Sequence, residues 1–382
     1  MRRKEKNMPL YLDDQQTMLR DTARDFIAEH APPSHLRALR DANDATGFSR
    51  DLWKQFADMG FTGILIPEAQ SGMGLGHVEA GVVLEEIGRN LSPSPFLTTA
   101  VAAVEALRGT AHADRYYPGI LAGDTIAALA IDERAKFGDG ISLTAQRSGN
   151  GFRLSGTKQF VAHAHVADLI LVAARTSGAE SDQDGVTLFA VDPKTAAPDI
   201  RPERLADSSL ASRITFADLQ LDADSVVGEV DNGREVLNRL LAAGRSGASA
   251  ELLGVGGGAM DLTVAYLKER KQFGQTIGSF QALQHRAAHL YAEMEVARAA
   301  VLKAQQLLDA GSPNASEAVA VAKAMTGLAT TLSVQESIQM HGGIGMTDEY
   351  DVGFYMKRAR VLAEMFGDAN YHADALAREN GY

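Results

Sequence analysis

The spacing of apolar positions divides the chain into three blocks. Near the start, Leu19, Ala23, Phe26 and Ile27 recur at the i, i+4, i+7, i+8 spacing of an amphipathic helix. Pro32 and Pro33 end it. A second helix is predicted from Ser49, a candidate N-cap, with Leu52, Phe56 and Met59 on one side and Gly60 as its stop. A loop carrying Gly72, Gly74 and Gly76 leads to a third helix marked by Val78, Val82 and Ile87. The run Ser92-Pro93-Ser94-Pro95 then breaks the pattern.

From Thr125 to about Val227 the apolar runs are short and strand-like: Ile126–Ile131, Ile141–Thr144, Leu169–Ala173, Val186–Val191 and Ile214–Leu221. Asn150-Gly151, between two such segments, is a hairpin signal. No long helical pattern interrupts the stretch, so it predicts an antiparallel β-domain and not a series of βαβ units. From Asn232 the helical period returns. Ser279–Ala310 contains neither Gly nor Pro, and Asn314–His341 contains one Gly, which together suggest a helical bundle. The predicted fold is therefore α+β in blocks: an N-terminal helical domain over 1–124, a β-domain over 125–233 and a C-terminal helical domain over 234–382.

Composition narrows the function. The 382 residues include 37 Lys and Arg against 49 Asp and Glu, a net charge of −12, which argues against a general nucleic-acid surface. Hydrophobic residues make up 45%, enough for a full core. No apolar run reaches the ~18 residues of a membrane span. The longest, Ala167–Ala174, contains Asp168. Arg2, Arg3, Lys4 and Lys6 form a basic start with no apolar region after it, so no secretory signal is expected and the protein is expected to be soluble and cytoplasmic. Cysteine is absent, which excludes disulfides, thiolate metal sites and a cysteine nucleophile.

Four short motifs have both a chemical and a packing interpretation. Gly254-Val255-Gly256-Gly257-Gly258-Ala259 matches a dinucleotide fingerprint by letter, but it lies inside a helical pattern with no strand before it. A small-residue helix face for close packing is the better reading. His163 and His165 would share one side of a strand, yet no third metal ligand is evident, and no metal site is expected. Arg270-Lys271-Gln272-Phe273-Gly274, followed by Phe280-Gln281, sets a guanidinium, a ring and an amide on a connection between two long helices. Gln339-Met340-His341-Gly342-Gly343-Ile344-Gly345 carries glycines that let backbone amides approach an anion.

Together, these last two motifs and the α–β–α order resemble the acyl-CoA dehydrogenase family over essentially the whole chain. The resemblance implies a C-terminal four-helix bundle, FAD as cofactor and an acyl-CoA thioester as substrate, with an electron-transferring flavoprotein as acceptor. It implies that Arg270, Phe273, Gln281, Gln339, Gly342 and Gly343 face a neighbouring subunit's FAD, and that Phe160 stacks near the flavin. Arg245 corresponds to an arginine near the acyl-CoA.

The resemblance also exposes gaps. Removing the proton α to a thioester needs a positioned base. The usual Glu positions hold Phe366 and Gly244. As substitute bases, Glu251 lies about two helical turns beyond Gly244, too far without a bent helix, Glu364 would point elsewhere if its segment is regular, and Asp368 is the other candidate; none is assigned as the catalytic residue. The family's loop over flavin and CoA is replaced by Asp132-Glu133-Arg134-Ala135-Lys136-Phe137, in which only Glu133 matches, and Ala162 offers no hydroxyl. Asp368 occupies a position where a Thr commonly meets the same subunit's FAD.

Residues lent to a neighbour are thus kept, while those serving the chain's own FAD are altered. The segments HGGIGMTDEYDVGFYMKRARV and MFGDANYH are similar to the small subunits of pimeloyl-CoA and steroid side-chain dehydrogenases, which pair with a Glu-bearing subunit. The expectation is a base-less subunit of a hetero-oligomer in fatty acid or steroid side-chain β-oxidation, with a homo-oligomer as the simpler assembly. A reduced-flavin monooxygenase of the same fold and a structural subunit without its own flavin are the alternatives.

Overall fold

The computed structural model describes residues 9–382, and the basic stretch Arg2, Arg3, Lys4 and Lys6 lies outside them. The chain opens with α1 (Asp14–His30), α2 (Pro33–Asp41), α3 (Arg50–Asp58) and α4 (His77–Arg89). A wide π-helical turn over 96–103 runs into α5 (Val104–Leu107), and α6 (His112–Leu121) follows. α1 starts at a capping box in which Asp13 and Gln16 satisfy each other's backbone amides. Pro33 does more than end α1, because it is the first residue of α2, where its missing N–H is not needed. Ser49 caps α3 as expected, its Oγ accepting from the Leu52 amide at 3.1 Å. Met59 departs from expectation. It is the C-cap and is 39% exposed, while Trp53 joins Leu52 and Phe56 in the core.

The central sheet contains β1 (Ala127–Ala130), β2 (Thr144–Ser148), β3 (Gly151–Ala162), β4 (Leu169–Arg175) and β5 (Val186–Val191). After the short α7 (Pro193–Ala196) come β6 (Asp199–Arg204), β7 (Leu210–Leu221) and β8 (Val226–Val227). The strand order is β6-β7-β3-β2-β4-β5-β8, with β1 also beside β4. Most pairings are antiparallel, but β1 runs parallel to β4, and Thr144 of β2 pairs in parallel with Arg175 of β4. β4 and β5 are buried at every position, which explains their unbroken apolar runs.

The run Ile141–Thr144 is not itself a strand. Ile141 and Leu143 are buried just ahead of β2, which begins at Thr144. The expected hairpin forms, but one residue earlier than its signal. Gly149 and Asn150 are the loop, Ser148 pairs with Gly151, and Gly149 takes the positive φ (60°) that a type II′ turn asks of its first central residue. β6, polar and mostly exposed, carries no apolar alternation by which the sequence could announce it.

The C-terminal part holds α8 (Gly233–Glu269), a two-stranded finger of β9 (Lys271–Gln272) and β10 (Gln275–Thr276), then α9 (Gln281–Asp309), α10 (Ala315–His341), α11 (Val352–Glu364) and α12 (Ala369–Glu379). The Gly254–Ala259 run lies inside α8, as the helical pattern required. A Cβ on Gly254 would sit 1.9 Å from the Glu85 carbonyl oxygen, and one on Gly88 would sit 2.1 Å from that of Glu251. These glycines let α4 and α8 touch backbone to backbone.

The chain forms two compact units. One gathers the residues up to Arg37, Gly76–Ser92 and Arg245–Tyr382, so α1 and α4 belong with the C-terminal bundle; the other gathers Ala38–Leu75 and Pro93–Gly244.

Candidate functional site

The helical unit holds most of the candidate residues. Arg270 follows the last residue of α8, and its amide still bonds back to the Tyr266 carbonyl at 2.9 Å. The finger then turns at Phe273-Gly274, with Gln275 opposite Gln272, and the Ile277 amide returns to the Arg270 carbonyl at 2.8 Å. Phe273 is 92% exposed at the tip. Gln281 opens α9. Gln339 stands at the exposed end of α10, and the exposed Gly342 and Gly343 follow. Among the described residues, the side chains of Arg270, Gln281 and Gln339 have no hydrogen-bond or ion-pair partner. A Cβ added to Gly342 or Gly343 would meet nothing within 4 Å. Two exposed turns thus present an unspent guanidinium, two amides and bare backbone, a donor set suited to phosphate or carboxylate.

A second cluster surrounds the turn after α11. Phe366 is buried, with φ +58°. Two cations hold the backbone of this turn: Arg245 Nε donates to the Phe366 carbonyl at 3.0 Å, and Lys323 Nζ donates to the carbonyls of Ala363 and Gly367, each at 2.9 Å. The Arg245 guanidinium also lies 5.5 Å from the Tyr371 ring centroid. Lys323 is fully buried, and burial, with Arg245 adding to it, lowers its pKa to about 7. His372 is buried beside it, lowered to about 3 by burial and then by the two cations, so its imidazole is neutral.

The carboxylates near this turn are engaged. Glu251, on α8, is 3% exposed and ion-paired with Arg358 at 2.5 Å. Glu364 pairs with Arg360 at 3.0 Å. Asp368 caps α12, accepting from the Tyr371 amide at 2.8 Å. Gly244 is buried within α8. Nothing in the sequence of the apolar α10 segment signalled that Lys323 serves this turn, apart from a lone cation in an alanine- and valine-rich run.

The sheet unit holds the remaining candidates. Phe160 sits at an irregularity of β3, where pairing with β7 shifts register between Lys158 and Val161; its φ is +53° and its ring is 47% exposed. Lys158, fully buried, donates to the Ile131 carbonyl at 2.9 Å and to Glu133 at 2.7 Å. Burial pushes the Glu133 carboxyl up, but the Lys158 charge outweighs it and holds the pKa below its usual range. Glu133 also accepts from the amides of Ser142 and Leu143, so it ties down its own loop. Burial raises neighbouring Asp132 to about 6.

The two histidines do not share a strand face. His163 has φ +62° and lies 3.3 Å from the Thr98 hydroxyl; His165 sits in a 3₁₀ turn, 3.1 Å from the Thr46 carbonyl. Among the described residues no group of three or more His, Cys, Asp or Glu could hold a metal. Of the non-glycine residues with positive φ, three are bulky phenylalanines, Phe160, Phe273 and Phe366. Each costs about 1–3 kcal/mol of strain, and such strain concentrates at functional positions. All three are candidate-site residues from the sequence.

The chain runs from helices through a central sheet to further helices, and its helical unit carries two exposed turns, the finger after α8 and the glycine turn after α10. The comparisons agree. Residues 13–124, 135–223 and 231–380 match the N-terminal, middle and C-terminal domains of acyl-CoA dehydrogenase. The chain belongs to the acyl-CoA dehydrogenase family. It is 31% identical to the acyl-CoA dehydrogenase IpdE2 of Mycolicibacterium smegmatis over 93% of this chain and 96% of that protein. Among solved structures, it is similar to the Tcur3481-Tcur3483 steroid ACAD (G363A variant), with 30% identity, a TM-score of 0.86, and coverage of 96% of this chain and 97% of the other. It is also similar to the ChsE4-ChsE5 complex from Mycobacterium tuberculosis, with 25% identity, a TM-score of 0.86, and coverage of 98% and 99%.

Members of this family are flavoproteins. The residues of the finger and the α10 turn suit such a cofactor: among the described residues the Arg270 guanidinium has no hydrogen-bond or ion-pair partner, and the backbone at Gly342 and Gly343 is open, since a Cβ there would meet nothing within 4 Å. At the positions that the resemblance sets beside the chain's own flavin, Asp368 is a carboxylate that caps α12 and Ala162 has no side-chain donor. A separate cleft of about 560 Å³ on the bundle, lined among others by Arg89, Met260, Asp261 and Tyr291, contains none of these residues. Among the described residues no helix is long and apolar enough to cross a membrane.

Proposed function

We propose that this chain is the subunit lacking the usual glutamate base in a hetero-oligomeric, FAD-dependent acyl-CoA dehydrogenase, and that it completes the flavin site of a Glu-bearing partner. The observation that carries the reading is the turn at Phe366. Where the resemblance places the base there is a buried phenylalanine, its carbonyl held by Arg245 and the Ala363 and Gly367 carbonyls of its turn held by Lys323, and the carboxylates Glu251, Glu364 and Asp368 each have a structural task. Proton abstraction α to the thioester needs a positioned, available base, so the partner must supply it.

The division of labour follows from the side chains. Arg270 would meet the cofactor's phosphates as a charge-assisted donor, Gln281 and Gln339 would add amide bonds, and Gly342 and Gly343 would admit the cofactor's backbone-facing edge. Phe273 would cover it with its exposed ring, and Phe160 would stack near a flavin. Arg245, though bonded to the Phe366 carbonyl, keeps its charge near the acyl-CoA position and would favour the anionic thioester ligand. When bound, FAD supplies the hydride acceptor. Electrons would then pass to an electron-transferring flavoprotein.

The test is expression of this chain alone and together with candidate Glu-bearing subunits, followed by native mass spectrometry, flavin absorbance and acyl-CoA oxidation assays. The expected result is a mixed oligomer with flavin and activity, and little of either for the chain alone. Full flavin loading and normal acyl-CoA oxidation by the chain alone would overturn the proposal.

A further inference from the structure

The two exposed turns lie about 70 positions apart in sequence, between Arg270 and Gln339, yet a cofactor can use them together only if their spacing is fixed. Side chains one step behind each turn meet. Tyr266, one helical turn before Arg270, stacks on His341, the last residue of α10, with centroids 4.6 Å apart and planes 30° apart. Tyr350, beyond the glycine turn, packs on His341 at 4.8 Å and lies 6.1 Å from Tyr266 in an edge arrangement. The three rings therefore form a triangle of mutual contacts, with one phenol from α8 and one from the segment leading into α11 both packed on the imidazole.

The imidazole has no evident chemical task of its own. Its Nδ1 lies 2.7 Å from the Ser337 carbonyl, an acceptor, so Nδ1 carries the hydrogen. Its Nε2 is buried without a hydrogen-bond partner. The neighbours of the stacked residues build a small apolar cluster: Leu267 of α8, Leu290 of α9 and Met340 of α10, with Ile277 of the finger packed against it. Adjacent residue pairs, Tyr266-Leu267 and Met340-His341, therefore fasten the same two turns twice. Apolar packing alone is tolerant of sliding, whereas stacked rings prefer a defined offset.

We propose that the Tyr266–His341–Tyr350 stack is a positioning element that sets the spacing of the Arg270 finger against the Gln339–Gly345 turn, so that both reach one cofactor. This rests on the reading that those turns face a flavin. The stack itself is testable without one.

Hydrogen exchange of the full chain, read on peptides covering 268–278 and 338–346, measures the coupling. Tyr266→Leu removes a ring from α8 only. The expected result is exchange about tenfold faster in both peptides, including the one on α10. His341→Phe keeps a ring packed on both tyrosines and exchanges as the wild type, while His341→Ala behaves like Tyr266→Leu. Faster exchange confined to 268–278 in Tyr266→Leu, with 338–346 unchanged, would overturn the proposal, as would His341→Phe behaving like His341→Ala. Should His341→Ala not fold, Tyr266→Leu and His341→Phe carry the test. In the mixed oligomer, Tyr266→Leu should weaken FAD binding about tenfold. An oligomer whose wild type binds no flavin at these turns would refute the functional reading and leave the exchange result standing.

Discussion

At the scale of single residues, one buried cation organises the turn after α11. Phe366 lies in the turn after α11, and Lys323 serves that turn by donating to the backbone carbonyls of Ala363 and Gly367. A lysine there acts on the C-terminal end of α11, where carbonyls lack helical partners. Its pKa, about 7, lies below the ordinary 10.5. Between those two values the native state binds fewer protons than the unfolded chain, so this group makes stability rise with pH across that window. Lys323→Met removes the contribution. In urea unfolding at pH 7 and pH 10, the free energy of the wild type relative to Lys323→Met should rise with pH. A difference that does not change with pH would show that the amine does not titrate there. The sequence names Phe366 plainly, but it does not connect it to Lys323, because the link runs through backbone carbonyls 40 and 44 residues away.

At the scale of elements, small residues decide how closely helices meet. The run Gly254–Ala259 looked by letter like a nucleotide motif, and its helical setting pointed instead to packing. The α4–α8 contact confirms the latter, since a side chain at Gly254 has no room. Gly254→Ala should cost at least about 2 kcal/mol, because relief requires moving two helix backbones apart. Gly327, inside α10, makes the contrast. A Cβ there meets only the Ala369 Cβ, at 3.9 Å, so Gly327→Ala should stabilise by about 0.5–1 kcal/mol through reduced chain entropy. Denaturant titration of both variants checks the opposite signs. Periodicity found the long helices and the buried strands, because burial on one or both faces writes itself into the apolar pattern. It missed β6, an edge strand held by backbone pairing with β7, and it shifted β2, because buried loop residues look like strand residues.

At the scale of the whole molecule, the net charge of −12 sets a problem for a protein proposed to serve anionic ligands, and the answer is local. On an exposed turn, Arg270 stands without an ion-pair partner among the described residues, while Arg245 bonds the backbone of the buried turn at Phe366. In the proposed mixed oligomer, Arg270→Ala should lower FAD affinity at least about tenfold, the loss of one charge-assisted bond. It should leave the melting temperature of the chain unchanged, since the side chain is exposed and touches nothing that holds the fold. Flavin retention and a thermal scan on the same preparation separate the two effects. By itself the sequence determined the α–β–α order and the family, because each is written in local residue identity and period. Only the tertiary structure decided that Glu251, Glu364 and Asp368 are spent on Arg358, Arg360 and a helix cap, that α1 and α4 belong with the C-terminal bundle, and that rings from α8 and the α11 approach close on His341. Those outcomes depend on which distant backbones come within hydrogen-bond or van der Waals reach, and no local pattern encodes that distance.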